Sequence, residues 1–520
     1  MGALQQNTSV ENEHNSNKDL TLNEKEAIAG SSSVYTRFGH KAKIFLSIVC
    51  ASCGLFSAIA APIYYPALDT IKNEFNVSGE LLNISVVVYF IFQGISPSIM
   101  GGFADSWGRR PIIVWSLAVY FAACVGLAKS TNYGQILGLR CLQSAGISPV
   151  IALNSGLMGD VTLRHERGGY IGLTSGIQLV GSAFGAIIGA GLISRWDWRA
   201  VFWFLAIGSG ISLIISTLLM PETNRSLAGN GSILPKSLTS RAPILALPFV
   251  RKYLHIENPD LDTLKPRRKV NFLAPFTVLA VPSVLLVLCV AGMQFTIYSC
   301  QLTVLSSSLE NYYGLSVGKV GLCYLPSGIC TLIGIVSSGR ILNWNYERRF
   351  AQHEKTIEEM KTKLMEKYYG DVSLVDAAIL TKNKYGFNIY RARLEVGVVP
   401  MLFSFGGFIA FGWCLGARTH LALVLFFSGF SSLCSSGIIA CTTTLMVDLH
   451  PEKTSSAAAC LNLCRCLLAA AFIAALDAMI DKMTIGGAFT FMVGVSALLT
   501  IGMVFVVSSA MTTDTADELT

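Results

Sequence analysis

Long apolar runs separated by short polar turns dominate this chain. They fall near 44–66, 81–103, 111–128, 134–158, 170–193 and 199–219. After a long polar connection they resume near 273–298, 317–342, 395–416, 419–446, 455–479 and 485–509. Each is close to the ~20 helical residues that cross a hydrocarbon layer about 30 Å thick. The pattern predicts an all-α polytopic membrane protein with twelve transmembrane helices in two pseudo-symmetric six-helix halves. Residues 1–40 are polar and mixed in charge and read as a disordered cytosolic tail, with no cleavable signal peptide. The N-terminal half then covers 41–220, a cytosolic central loop 221–272, the C-terminal half 273–510 and a short cytosolic tail 511–520. A charged insert, 343–394, separates the eighth and ninth helices; its stretch Glu354 to Lys367 is rich in helix formers.

Composition agrees. Of 520 residues, 52% are hydrophobic and only 14% charged, against about 25% charged in an ordinary soluble domain. The net charge of +7 is spread over many loops and is no nucleic-acid signal. All 14 Cys lie in or beside apolar runs, which argues against a secreted disulfide framework, and Cys50-x-x-Cys53 inside the first run reads as packing rather than a metal or redox site. With both termini inside, seven basic residues (Lys72, Lys129, Arg195, Arg199, Lys319, Arg418 and Lys482) fall on outer loops. Two more, Arg140 and Arg465, lie within the membrane, leaving thirty of the 39 inside. The short loops with Arg109 and Arg110, Arg164 and Arg167, and Lys41 and Lys43 follow the positive-inside rule.

An internal repeat supports the division into halves. Leu157-Met158-Gly159-Asp160 ends the fourth helix and Leu445-Met446-Val447-Asp448 the tenth; Gly101 to Asp105 aligns with Gly339 to Asn343. The landmarks are 55 residues apart in the first half and 105 in the second, a difference that the insert from Trp344 to Arg393 accounts for.

The most specific stretch is Gly101-Gly102-Phe103-Ala104-Asp105-Ser106-Trp107-Gly108-Arg109-Arg110. So short a connection implies a tight turn at the membrane surface, with Asp105 free to pair with an arginine or to cap the next helix. Read blandly, Arg109 and Arg110 only set topology. The spacing resembles the loop after the second helix in the major facilitator superfamily of transporters, G-x-L-A-D-R-x-G-R-R/K, with Phe103 for Leu and Ser106 for Arg. In the fifth helix Gly172, Gly181, Gly185 and Gly189 lie on a small-residue face, expected to pack close against the other half. They resemble the antiporter signature G-x8-G-x3-G-P-x2-G-G, with Ala186 for the proline and Ala190 for the last glycine.

Arg140 sits about 10 Å inside the fourth helix. A guanidinium at such depth faces the protein interior or a watery cavity. Arg140-x-x-Gln143-Ser144-x-Gly146 resembles the family's R-x-x-Q-G-x-G, and the resemblance implies a role for Arg140 and Gln143 in proton coupling; a structural arginine is the plainer alternative. Arg465, near the midplane beside Asn462, lies in a stretch close to what fungal drug:proton antiporters carry. Pro221-Glu222-Thr223-x-Arg225, Tyr324-Leu325-Pro326-x-Gly328 and Leu445-x-Val447-Asp448-Leu449-x-Pro451 match the same group.

The resemblance spans roughly 40 to 510. It implies a major facilitator fold and a proton-coupled plasma-membrane exporter of drugs, weak acids, polyamines or dityrosine-like compounds, in the manner of the quinidine-resistance group. It implies no enzyme activity and no cofactor beyond a proton gradient. The partners would be a small-molecule substrate, protons and the lipid bilayer, with no nucleic acid, and the protein a monomer. The loop residues Gly101, Asp105, Gly108, Arg109 and Arg110 would form the conformational switch. Candidate cavity residues are Tyr89, Gln93, Gln178, Gln294, Tyr298, Tyr324, Asn462 and Arg465, each of which taken alone reads as readily as a packed interior residue. No G-x-x-x-x-G-K-[ST] supports an ATP-driven pump. No Asp or Glu is expected at mid-depth; Asp69, Asp105, Asp160, Asp448 and Asp477 lie at helix ends. A nutrient facilitator or symporter, and a non-transporting sensor, remain the alternatives.

Overall fold

The computed structural model describes residues 36–253, 260–264, 279, 281–367, 388–449 and 454–516. The expected N-terminal tail up to residue 35, the middle of the insert, parts of the central loop and the last four residues lie outside the described residues.

Eleven helical segments are long and apolar enough to cross a bilayer. The last, Ala458–Val504, has 47 residues, about 70 Å at 1.5 Å per residue and therefore two crossings. The break is at Thr484, where φ is 66° and ψ 168°, so the described residues make twelve crossings. These are α1 (His40–Ile59), α2 (Gly79–Trp107), α3 (Arg109–Ala128), α4 (Tyr133–Ile147 and Pro149–Val161), α5 (Arg164–Arg195) and α6 (Arg199–Leu219). The second set is α7 (Pro282–Tyr313), α8 (Val317–Cys323 and Leu325–Lys367), α9 (Ile389–Gly416), α10 (Leu421–Leu449), and α11 and α12, the two parts of Thr454–Ala516. An even number of crossings puts both ends of the bundle on one side, called here the terminal face.

Local chemistry explains the interruptions. α1 passes through a 3-10 turn, Pro62–Ala67, into a short helix, Leu68–Phe75. Two prolines, Pro62 and Pro66, remove backbone donors there and tighten the chain. Pro149 divides α4 in the same way.

Three expectations shift. The turn expected over residues 101–110 is a single residue: α2 stays helical to Trp107 and α3 starts at Arg109. Gly108 alone reverses the chain, at φ 111° and ψ 152°. The seventh span, expected at 273–298, is Pro282–Tyr313; Leu302, Val304 and Leu305 prolong its apolar content past the serines and threonines that hid it. α8 does not end before the insert but runs unbroken from Leu325 to Lys367. No Gly or Pro lies between Arg340 and Lys367 to stop it.

α1 packs along α5, α3 along α4 and α6, and α10 along α8 and α9. α2 meets α11 across the halves: a Cβ on Gly94 would stand 3.2 Å from the Cβ of Cys466. Away from the terminal face the halves are shut. The Ser306 hydroxyl donates to the Tyr65 carbonyl at 3.0 Å, and Gly328 and Gly321 of α8 lie against Ala183 and Ala190 of α5. Toward the terminal face a Cβ on Gly101, Gly172, Gly176 or Gly339 would meet nothing within 4 Å. Those four positions face open space.

Candidate functional site

The turn at Gly108 organises a charged cluster on the terminal face. Glu222, just after α6, accepts hydrogen bonds from the backbone N–H of Arg109 (3.0 Å) and Arg110 (3.3 Å), capping α3. It also accepts from the Thr223 and Asn224 backbones. Only glycine fits the turn: φ is positive, and a Cβ at Gly108 would lie 2.4 Å from Glu222 Oε2. Burial pushes the Glu222 carboxyl above its ordinary value, while those four N–H groups pull it back. Asp105 does not cap α3; it pairs with Arg109 at 3.4 Å, one turn on. Arg109 Nε also donates to Asp160 at the end of α4, and Arg225 donates to the Asp160 carbonyl at 3.2 and 3.0 Å. Arg110 instead binds carbonyls, donating to Met220 at 2.8 Å as well as to Thr217 and Thr239. Gly101 lies on the open side of the same helix end.

The second half carries a smaller counterpart. Arg393, near the start of α9, pairs with Asp448 at 2.7 Å as Arg109 pairs with Asp160. Asn343, the aligned partner of Asp105, is exposed. Asn345 is the buried one, donating to the Ala392 carbonyl at 2.8 Å. The sequence marks Glu222 only as part of a family-like stretch, and it assigns neither Glu222 nor Arg393 to a charge cluster. Arg393 had a signal: it precedes Asp448 by nearly the interval that separates Arg109 from Asp160.

Arg140 is 1% exposed. Its guanidinium lies between two tyrosine rings, 4.1 Å from the centroid of Tyr64 and 4.3 Å from that of Tyr89. It donates to Gln143 Oε1 at 2.8 Å, and Gln143 donates to Cys124 Sγ at 3.3 Å. The Nε has no partner, and among the described residues no carboxylate pairs with Arg140. Ring faces and an amide supply the compensation that a carboxylate would otherwise give. Gly146 completes the pattern because a Cβ there would strike the Tyr120 amide nitrogen at 2.8 Å, so α4 can press onto α3.

Arg465 sits differently. It is half-buried, its guanidinium 5.0 Å from the Phe295 ring centroid, and it donates to Asn462 Oδ1 at 3.0 Å. Asn462 donates across the halves to the Gln93 carbonyl at 2.5 Å, and Phe295 meets Phe90 edge-on at 5.8 Å. Gln93, Asn462, Arg465 and half-buried Tyr298 of α7 therefore border the seam between halves or lie next to it.

The remaining candidates lie elsewhere. Tyr89 is in the Arg140 cage. Gln178 is buried against Gly54 of α1. Gln294 lies inside the second half, between Ser404 and Ser496. The Tyr324 hydroxyl donates to the Leu302 carbonyl at 2.7 Å.

The α5 glycines also differ from expectation. Gly181, Gly185 and Gly189 pack against Leu55 and Ile59 of α1 and Pro62 and Ile63 of the 3-10 turn after it, in the same half. The alanines between them, Ala183, Ala186 and Ala190, face α8 of the other half, where Gly321 and Gly328 supply the room. Gly172 touches neither.

Among the described residues, twelve membrane crossings in two halves, each with charged pairs at its helix ends, give the frame of a polytopic membrane protein. The profile of the Major Facilitator Superfamily matches residues 47–352, and the chain belongs to that family; it is a transporter, not an enzyme. It is 54% identical to quinidine resistance protein 1 of Saccharomyces cerevisiae, over 89% of this chain and 82% of that one. It is 52% identical to the multidrug transporter QDR2 of Candida glabrata (92% and 82% covered) and 39% identical to the MFS antiporter QDR1 of Candida albicans (92% and 90%). Among solved structures, a partially occluded inward-open form of the xylose transporter XylE from E. coli shares the fold, with a TM-score of 0.59 at 15% identity over 89% of this chain and 97% of that one.

Proposed function

We propose that this protein exports lipophilic or cationic organic compounds across the plasma membrane in exchange for protons. The observation that carries this reading is the extent of likeness, over nearly the whole chain, to proteins named for quinidine resistance and multidrug transport. Both termini and the terminal-face clusters are cytosolic in this reading, as the basic loops require, and the described conformation is the one open to the cytosol. The seam supplies Phe90, Phe295, Tyr298, Gln93 and Asn462, a surface of rings and neutral polar groups suited to amphiphiles bound through contact area. Arg465 beside them disfavours a second bare cation unless it withdraws onto Asn462 and Phe295, as it does here.

Arg140 and Gln143, with Tyr64 and Tyr89, form the fixed charge around which α1, α2 and α4 are held, and proton coupling acts on this core in one half of the protein. The protein works as a monomer and needs no cofactor beyond the proton gradient. The test is efflux of quinidine and a panel of weak acids and polyamines from cells, with and without a proton uncoupler. Uncoupler-sensitive efflux of at least one compound supports the reading. Gradient-driven accumulation across the panel would establish uptake instead.

A further inference from the structure

The shut side of the seam holds carboxyl groups that take no part in the terminal-face clusters. Asp69, on the short helix Leu68–Phe75, is 7% exposed, and its Oδ2 is buried with no hydrogen-bond partner. The groups that face it come from both halves. Lys72 is one turn along its own helix, and Tyr65 lies on the 3-10 turn behind. Glu310 of α7 and Tyr324 of α8 are within electrostatic range across the seam. Lys72 also serves Asp477 of α11, which sits among Asn83 and Glu80 of α2 and Asp481. Glu74 of the same short helix is committed to Arg199 at 2.8 Å. Lys72 is thus shared between Asp69 and Asp477, with Glu310 beside the first and Glu80 and Asp481 beside the second.

A carboxylate oxygen sealed away from water without a donor is costly, and a like charge beside it adds to the cost. A proton on Asp69 removes both penalties. We propose that Asp69 is the proton-binding group of the outer gate: the gate closes over Asp69 in its neutral acid form, and loss of that proton to the outer solution opens it. The Ser306–Tyr65 hydrogen bond and the contacts of Gly321 and Gly328 with α5 are what closure makes. Acid outside thus favours the conformation open to the other face, and the proton, exchanged with the outer solution alone, sets the gate without crossing the membrane. This rests on the reading that the shut side is extracellular.

The test is thiol labelling of Ser306→Cys in intact cells by a membrane-impermeant maleimide between external pH 5 and 8. Rates are corrected for the native cysteines and normalised to exposed Asn73→Cys, and the Asp69→Asn series supplies the part that ionisation of the introduced thiol alone would give. Normalised labelling should rise several-fold toward pH 8 with Asp69 present, stay low and flat with Asp69→Asn, and recover its slope with Asp69→Glu. Glu310→Gln should keep the slope but reduce labelling at pH 8. An unchanged pH profile in Asp69→Asn, or a flat profile with Asp69 present, overturns the proposal. Labelling that appears only after permeabilisation refutes the orientation instead, and the pH series in permeabilised membranes then still decides the role of Asp69.

Discussion

The two halves solve the same problem at the terminal face with unequal means. In the first half, Asp105, Arg109, Asp160, Glu222 and Arg225 tie the ends of α2, α3, α4 and α6 into one network. In the second, among the described residues, the Arg393–Asp448 pair, a separate bidentate pair between Arg349 of α8 and Glu395 of α9, and an amide from Asn345 hold the corresponding ends without joining into one network. The contrast recurs within the membrane. Arg140 is locked between two tyrosines of its own half, whereas Arg465 is half-exposed at the seam. The first half buries its intramembrane arginine among its own side chains, and the second keeps its arginine at the boundary between the halves.

The largest consequence concerns the two arginines. Arg140→Ala is expected to abolish gradient-driven export, because Tyr64, Tyr89 and Gln143 lose the group that orders them. Arg140→Lys should restore only a fraction, since an ammonium cannot span two ring faces and the Gln143 oxygen as the planar guanidinium does. Arg465→Ala should leave folding near normal and change which compounds are carried. Flux with and without an imposed pH gradient, at matched protein abundance, separates these outcomes. Full gradient-driven transport by Arg140→Ala would show that the buried charge is dispensable and the contrast with Arg465 empty.

The networks come next. Removing one partner of a largely buried pair costs about 3–5 kcal/mol, so Arg109→Ala should lower the thermal midpoint of purified protein strongly. Arg393→Ala should do less, because Asp448 is the more exposed acid. Equal losses would mean that the extra links around Arg109 add nothing.

A finer comparison lies within α5. A Cβ at Gly189 would stand 2.3 Å from the Ile63 carbonyl oxygen, while one at Gly172 would meet nothing within 4 Å. Forced repacking typically costs about 1–3 kcal/mol, so Gly189→Ala should reduce stability and transport together. Gly172→Ala should be close to silent by both measures in this conformation. A defect in transport alone for Gly172→Ala would show that its face closes on a partner in another state.

These cases also show what the chain discloses by itself. Twelve crossings were legible because hydropathy is local and each run is as long as the membrane is thick. For Asp105 the sequence left pairing with an arginine and capping of the next helix open, and the pair with Arg109 is the one formed because α2 stays helical to Trp107. The role of Glu222 was not legible: its run Pro221-Glu222-Thr223 matched the family, but the contact with α3 comes from more than a hundred residues away. Nor was the partner of the α5 glycines, because spacing tells which residues share a face and not which helix covers it. The length of α8 was missed because membrane apolarity ends near residue 342 while helix propensity does not.

The smallest effect tests the repeat itself. Alignment by sequence makes Asn343 the counterpart of Asp105, but Asn343 is exposed and Asn345 is buried, with its amide on the Ala392 carbonyl. That carbonyl belongs to the residue before Arg393, so Asn345 steadies the backbone that aims Arg393 at Asp448. Loss of one such hydrogen bond is worth about 1 kcal/mol, and an exposed polar substitution usually stays within about 0.5 kcal/mol. Asn345→Ala should therefore lower the thermal midpoint measurably and add little more in an Arg393→Ala background, whereas Asn343→Ala should not move it. Additive losses in the double variant would show that Asn345 acts apart from the ion pair, and a larger loss from Asn343→Ala would return the counterpart of Asp105 to the position that alignment gives it.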